Sequence, residues 1–165
     1  MTRRVGSAEE LRAMAEVDDI QFYELRARLL EEPDPAHDGE HDAAGVEQRP
    51  KAAFRVMLDG SLLGFRLRLS VRSVAAEYVA DAAAFFRLAE PVAVVEASAM
   101  NAFIEKEAFP VLYPFVRQSV FDLASKMGVE TVLLGLTRPE DMDFTVDLAP
   151  PDAAYVENAD VVSDE

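Results

Sequence analysis

The stretch FPVLYPFVRQSVFDLASKMG, residues 109–128, has the apolar spacing of a long amphipathic helix. A step of 100° per residue places its apolar side chains in a stripe about 120° wide. The stripe consists of Leu112, Tyr113, Val116, Val120, Leu123, Ala124 and Met127. Proline near the start and glycine at the end suit the two termini of a helix. We therefore predict a helix whose apolar stripe covers a sheet.

Two aromatic residues of this helix, Phe115 and Phe121, fall outside the stripe and on opposite flanks. A helix that packs on a sheet through one face does not need them there. They either contact a second subunit or are single exposed side chains, which are common on protein surfaces. We favour the first interpretation, which makes both residues candidates for an oligomer interface.

Upstream of the helix, residues 63–71 carry apolar side chains at the odd positions, with arginine or serine at most of the even ones. This alternation predicts a half-buried antiparallel strand. Phe54, Val56 and Leu58 alternate in the same way. Between the two segments, Asp59-Gly60-Ser61 predicts a turn, so the two strands should form a hairpin.

Two further strands are less regular. Residues 77–88, EYVADAAAFFRL, are apolar on both faces near their end, and a helix is the alternative because alanine is a poor strand former. Residues 18–30, DDIQFYELRARLL, carry apolar residues first on one parity, at Ile20 and Phe22, and from Leu25 on the other. A β-bulge would reconcile the two halves. Sequence neighbours suggest a meander of four strands, followed by helices.

The formal net charge of −15 is concentrated in two segments. Residues 31–50 hold seven acidic residues and one arginine, and residues 137–165 hold nine acidic residues and one arginine. We therefore predict a single domain over residues 1–136 with an acidic flexible loop at 31–50, followed by an acidic, disordered tail over 137–165. Loop and tail should be dispensable for folding; they either solubilise the protein or contact a basic partner. Such acidity disfavours binding to nucleic acid and anionic membranes.

The chain has no cysteine, which excludes disulfides, thiolate metal sites and thiol nucleophiles. It has no run of about 18 apolar residues that would predict a transmembrane helix. The first residues, MTRRVGSAEELRAMAE, are too polar for a signal peptide. We expect a cytoplasmic protein without membrane insertion.

One short motif suggests catalysis. HDGEH, residues 37–41, has the two histidines and the glutamate of an inverted zinc-peptidase motif. Such a site needs both imidazoles on one face of a helix, but Pro33, Pro35 and Pro50 surround the motif and Gly39 lies within it. A zinc-dependent hydrolase is therefore a disfavoured alternative. A nearly neutral, apolar body suits the binding of apolar polypeptide, and we predict neither an enzyme nor a bound cofactor or metal.

The start of the long helix resembles that of the SecB family of export chaperones. In that family the helix begins with an apolar residue, an aromatic residue, proline, a second aromatic residue and then arginine. Here these are Leu112, Tyr113, Pro114, Phe115 and Arg117. VDDIQFYE, residues 17–24, is similar to the family's first strand, and EYVADAAAFFRL resembles its fourth. The order of elements agrees over residues 17–128.

The resemblance implies an α+β fold in which a four-stranded antiparallel sheet packs against a long C-terminal helix. It also implies a homo-oligomer, a tetramer built as a dimer of dimers. The implied function is that of an ATP-independent holdase, which keeps unfolded precursor polypeptides ready for export and passes them to the SecA motor. Some SecB-like proteins instead protect an antitoxin in a toxin–antitoxin system, and this is the alternative function.

Family positions also suggest functional residues. The client-peptide groove would contain Val56, Leu58, Met100, Phe103, Ile104, Phe109, Val111 and Leu112. On sequence alone these apolar side chains fit the core of the subunit as well, and both interpretations stay open. Asp19 and Asp81 occupy positions expected to contact the motor protein, and Phe115 and Phe121 would lie toward neighbouring subunits.

Overall fold

The computed structural model describes residues 3–31, 51–135 and 143–148, the last of these by its backbone alone. In chain order its strands and helices are β1 (Arg3–Val5), α1 (Ala8–Met14), β2 (Ala15–Leu29), β3 (Lys51–Asp59), β4 (Leu62–Arg72), β5 (Ala76–Leu88), β6 (Val92–Val95), α2 (Ala97–Phe103), α3 (Phe109–Met127) and β7 (Asp143–Leu148). A π-helical segment, Ile104–Ala108, joins α2 to α3. Most of the predicted acidic loop, including the HDGEH motif, lies outside the described residues.

The main sheet has the strand order β2-β5-β4-β3-β7. Its first four strands are antiparallel neighbours, and α3 packs on the sheet, so the predicted fold class is confirmed. The predicted meander is wrong at β2, which pairs with β5 rather than with β3. Short connections make β3, β4 and β5 neighbours, whereas the long segment between β2 and β3 lets β2 lie at the far edge, as in a Greek key.

The irregular first strand is β2, and its register shifts twice, between Val17 and Asp19 and between Phe22 and Glu24. The second shift inserts Tyr23, so Phe22 and Leu25 stand opposite Ala82 and Ala80 and share one face of the sheet. The predicted bulge is confirmed. Residues 76–88 form β5, so the helix considered for this segment is wrong.

The core lies between the helices and one face of the sheet. The odd positions of β4 are buried there, namely Leu63, Phe65, Leu67, Leu69 and Val71. From α3 the core takes Leu112, Tyr113, Val116, Val120 and Ala124, with Leu123 and Met127 half-buried beside them. The predicted apolar stripe is therefore confirmed. Gly128 ends the helix in the left-handed conformation, with φ of 69°, which glycine adopts at little cost.

A small parallel sheet of β1 and β6 connects the N-terminal segment to the start of α2. The Val5 side chain is fully buried, and the Glu96 N–H donates to the Val5 carbonyl at 3.0 Å. Ser7 caps α1 by accepting from the Glu10 N–H at 3.2 Å. These contacts hold α1 and α2 together at one end of the sheet.

Residues 143–148 belong to the segment predicted to be a disordered tail, yet their backbone forms β7, parallel to β3. The remainder of that segment lies outside the described residues. DFTVDL alternates polar and apolar residues, which is a strand signal. The high acidity of the surrounding sequence favours disorder and obscures this signal.

Candidate functional site

The structure places six of the eight predicted groove residues in the hydrophobic core. They are Val56, Met100, Phe103, Ile104, Phe109 and Leu112, each at most 7% exposed. The other two, Leu58 and Val111, are half-buried and pack against the core. Of the eight predicted groove residues, only Leu58 and Val111 therefore present surface to another molecule in this conformation.

Phe103 lies at the centre of an aromatic cluster in this core. Its ring stacks on Phe65 with centroids 5.6 Å apart and meets Phe86 edge-on at 5.3 Å. Phe65 in turn contacts Phe54 at 5.8 Å. Aromatic pairs at these distances stabilise a core beyond the burial of their area. The cluster joins α2 to three strands, so Phe103 has a structural role.

A row of exposed apolar side chains runs along β2. We call Val17, Phe22, Leu25 and Leu29 the β2 row; between 45% and 52% of each side chain is exposed. By register they stand opposite residues of β5 whose side chains lie in the core, so the row continues the core face beyond the cover of α3. The sequence predicted the strand but not this exposure, because alternation identifies a shared face and not what covers it.

β2 is also an edge strand. Among the strands that the structure describes, its only partner is β5. A 15-residue edge strand presents a row of backbone N–H and C=O groups beside the β2 row. Exposed apolar area together with an open strand edge is typical of a surface that contacts another polypeptide.

The beginning of α3 presents one further aromatic side chain to solvent. Phe115 is 45% exposed and Phe121 is half-buried, as their positions off the stripe suggested. The Tyr113 hydroxyl donates to the Gly135 carbonyl at 2.9 Å, and the Arg117 Nε donates to the Leu134 carbonyl. The segment after α3 is thereby held against the start of the helix. From the sequence alone, Arg117 is only part of the helix-start motif, and this contact is not predicted.

The opposite face of the sheet carries a polar cluster that centres on Asp81. This carboxylate is 1% exposed and accepts from Arg66 at both oxygens, at 2.7 and 2.8 Å. Arg68 donates to Asp81 at 3.0 Å and also to Glu24 on β2. The Arg66 guanidinium lies 4.3 Å from the centroid of the Tyr23 ring. The ion pairs link β2, β5 and β4, so Asp81 does not present its carboxylate to a motor protein in this conformation.

Asp19, the other predicted motor contact, is exposed at the β2 edge. Its Oδ1 accepts from the Ile20 N–H at 2.8 Å and its Oδ2 from the Gln21 amide at 2.9 Å. The structure therefore does not bring the two predicted acids together as one acidic patch, since one is buried in ion pairs and the other is exposed.

Two groups on the polar face have shifted pKa values. Burial lowers the pKa of the Arg68 guanidinium, but its hydrogen bonds to Glu24 and Asp81 and the charges of both acids outweigh this, and the net shift is upward. A hydrogen bond from Arg28 lowers the pKa of the Glu77 carboxyl, and the nearby charges of Arg28 and Arg72 act in the same direction. Both shifts favour the charged forms.

The chain matches no protein-family model. It is 26% identical over 137 residues to the SecB-like chaperone SmegB of Mycolicibacterium smegmatis, a match that covers 83% of this chain and 85% of the relative. Its fold is similar to that of the Mycobacterium tuberculosis SecB-like chaperone Rv1957, solved with a ChAD peptide from the antitoxin Rv1956 HigA1. That match has a TM-score of 0.60 and 18% identity, and covers 79% of this chain and 92% of the other.

Within the described residues, the structure contains no helix long and apolar enough to cross a membrane. The curated relative supplies agreement in sequence and the solved structure supplies agreement in fold. Together they confirm the resemblance predicted from the helix start and from the order of elements: the chain is similar to SecB-like chaperones in sequence and in fold.

Proposed function

We propose that this protein is a holdase chaperone that binds unfolded polypeptide segments through apolar contacts, without nucleotide, cofactor or catalysis. The observation that carries the proposal is the agreement in sequence with one SecB-like chaperone and in fold with another, the second solved with a bound peptide. Exposed apolar side chains, concentrated on β2, support a protein that contacts other polypeptides.

Because most of the predicted groove residues are buried, few of them can contact a client directly. Leu58 at the end of β3 and Val111 in the first turn of α3 are the two predicted groove residues that retain exposed surface. We assign them to contact with the client. The buried groove residues support these two from beneath, and their replacement would act through stability.

We further propose that the protein assembles as a homo-oligomer, with a second copy of the chain on the β2 row. A second β2 strand placed alongside would pair the open edge and cover the apolar row at the same time. Phe115 and Phe121 would extend the contact along α3. A tetramer would have a mass of about 73 kDa from subunits of 18.2 kDa.

A dedicated antitoxin is the second candidate for the client. The antitoxin peptide held by the solved SecB-like chaperone favours it. Export through SecA has less support, because Asp81 is engaged with Arg66 and Arg68. If a toxin–antitoxin gene pair adjoins the gene for this chain, its antitoxin should bind at least about tenfold more tightly than unrelated unfolded clients.

The proposal is tested by the affinity for a permanently unfolded protein and its fragments, measured by fluorescence anisotropy without nucleotide and with EDTA. Each further segment on the same oligomer binds at a raised effective concentration, so affinity should rise steeply with client length. Val111→Ser should weaken binding, whereas Val74→Ser, an exposed control on the β4–β5 connection, should not. A folded protein that binds none of several unrelated clients would contradict a general holdase and leave the dedicated antitoxin as the client.

A further inference from the structure

The edge of β3 is occupied by a strand from the same chain. β7 pairs with β3 in parallel and in unbroken register, from Lys51 opposite Asp143 to Val56 opposite Leu148. It is the only parallel neighbour in the described part of the main sheet. In the chain, β4, β5, β6, α2 and α3 lie between β3 and β7. β7 therefore joins the sheet as an added strand rather than through a hairpin.

The register of β7 matches the apolar face of β3. Phe144, Val146 and Leu148 stand opposite Ala52, Phe54 and Val56. The three β3 residues are buried in the core. Alternate positions of a strand share a face, so the apolar positions of β7 extend the same row by one strand.

The charged positions match as well. Asp143 stands opposite Lys51, and Asp147 stands opposite Arg55. On the other side of β3, the β4 positions opposite these two cations are Ser70 and Arg66, and neither is acidic. Opposite charges directly across two strands are stabilising and like charges are destabilising. The acidic positions of β7 therefore suit the basic positions of β3.

We propose that β7 occupies a strand-docking site for clients on the edge of β3, and that an extended client segment displaces it. The segment would carry apolar residues at alternate positions with acidic residues between them. This inference rests on the proposed chaperone function and specifies the kind of segment that it recognises. A six-residue parallel edge strand is weakly held, and a tethered strand lowers the apparent affinity of clients by the fraction of time it occupies the site.

The first test measures docking without any client. The probe is a fluorescein-labelled peptide, DMDFTVDLAP, that copies residues 141–150. Successive N–H groups of a strand point to opposite edges, so one of the N–H groups of residues 145 and 146 faces β3. The double variant Thr145→Pro with Val146→Pro therefore removes one hydrogen bond between β7 and β3. It should bind the probe about tenfold more tightly than the unaltered chain, and Val161→Pro with Val162→Pro is the matched control. Equal affinity in all three proteins would overturn the docking site.

A second set of variants exchanges charges and tests the same site without proline, in case the proline variant does not fold. Asp143→Lys with Asp147→Lys should release β7 and strengthen probe binding about two- to tenfold. Adding Lys51→Glu with Arg55→Glu should restore the weak binding of the unaltered chain. Failure of the second pair to restore it would contradict the register-based recognition.

The second test uses an unfolded client. The proline variant should bind it about fivefold more tightly than the Val161→Pro, Val162→Pro control. Unchanged client affinity in a variant that binds the probe tightly would overturn displacement by clients while leaving the holdase function intact. Failure of the proposed chaperone function would give a different result. No protein in the series would bind the client, although the probe would still bind the proline variant more tightly than the control. The site on β3 would then hold β7 but would not be a site for clients.

Discussion

The two edges of the main sheet differ in whether a further strand pairs with them. At one edge, β3 is paired along six residues by β7 from the same chain. At the other, the 15-residue β2 has no second neighbour among the described strands and exposes an apolar row. Unpaired strand edges recruit other chains unless the protein covers them. The difference indicates that the β2 edge suits contact between molecules, whereas the β3 edge is paired by a strand of the same chain.

Both edges depend on the aromatic core between them, and Phe103→Ala is expected to have the largest effect. Removing a fully buried phenylalanine costs about 3–5 kcal/mol of unfolding free energy. Urea unfolding should report this loss, and Val111→Ser, at the margin of the core, should cost less than about 1 kcal/mol. A loss below about 1 kcal/mol for Phe103→Ala would contradict the assignment of Phe103 to the core.

The Asp81 ion pairs join β5 to β4, and Arg68 extends them to Glu24 on β2. Asp81→Asn should therefore loosen the β2 edge selectively. Removing one partner of a buried ion pair costs about 3–5 kcal/mol. Because Arg66 and Arg68 keep 26% and 40% of their side-chain exposure, we expect a smaller loss of about 2 kcal/mol by the same rule. Asp19→Asn is the exposed control, expected within about 0.5 kcal/mol. Unchanged stability with lost binding to SecA would instead support the predicted motor contact.

A charge in the β2 row should break the contact between molecules. Leu25→Asp buries a carboxylate in the proposed interface, and it should weaken association at least about tenfold, or about 1.4 kcal/mol. Phe121→Asp tests the same contact on α3. Multi-angle light scattering measures the mass, and Val94→Asp, at an exposed valine of the separate β1–β6 sheet, is the control. A monomer already present in the unaltered chain at micromolar concentration would contradict the assembly.

Opening the β3 edge should have a modest effect on folding. Thr145→Pro with Val146→Pro should lower the unfolding free energy by about 1 kcal/mol and the melting temperature by about 2–4 °C. The expectation that the tail is fully dispensable is thereby revised for the six residues of β7. A change as small as that of Val161→Pro with Val162→Pro would contradict the pairing with β3.

The smallest expected effect concerns pH. The pKa of Glu77 is lowered from 4.5 by its hydrogen bond to Arg28, so its ion pairs stabilise the fold above that value. This contribution is lost as the pH falls through the lowered pKa. Glu77→Gln should therefore make stability less dependent on pH below about 4.5. Thermal unfolding of both proteins at pH 3 to 7 checks this, and parallel curves would contradict it.

Sequence patterns predicted the elements of this fold better than their arrangement. The stripe of α3 and the parity shift in β2 are local signals, and both are confirmed. The pairing of β2 with β5 does not follow from the sequence, because the 21-residue connection between β2 and β3 leaves the position of β2 open. Likewise, Asp81 stands in a mostly apolar strand, and its burial depends on Arg66 and Arg68, which reach across from β4.

The candidate surfaces were predicted less well, because a side chain's role depends on what covers it. Apolar periodicity could not separate the buried Phe103 from the half-buried Val111. It also could not show that Phe22 and Leu25 lie beyond the cover of α3. The position of β7 depends on backbone pairing with β3, which is distant in sequence. No local pattern in DFTVDL predicts which strand it pairs with.

We propose that this chain, which is similar to SecB-like chaperones, holds unfolded polypeptide on these surfaces. Light scattering of an unrelated client that aggregates as it refolds, with stoichiometric protein, EDTA present and ATP absent, tests this most directly. We predict suppressed aggregation by the unaltered chain and stronger suppression by the Thr145→Pro, Val146→Pro variant. Unchanged aggregation across several clients, from protein shown by circular dichroism to be folded, would contradict it.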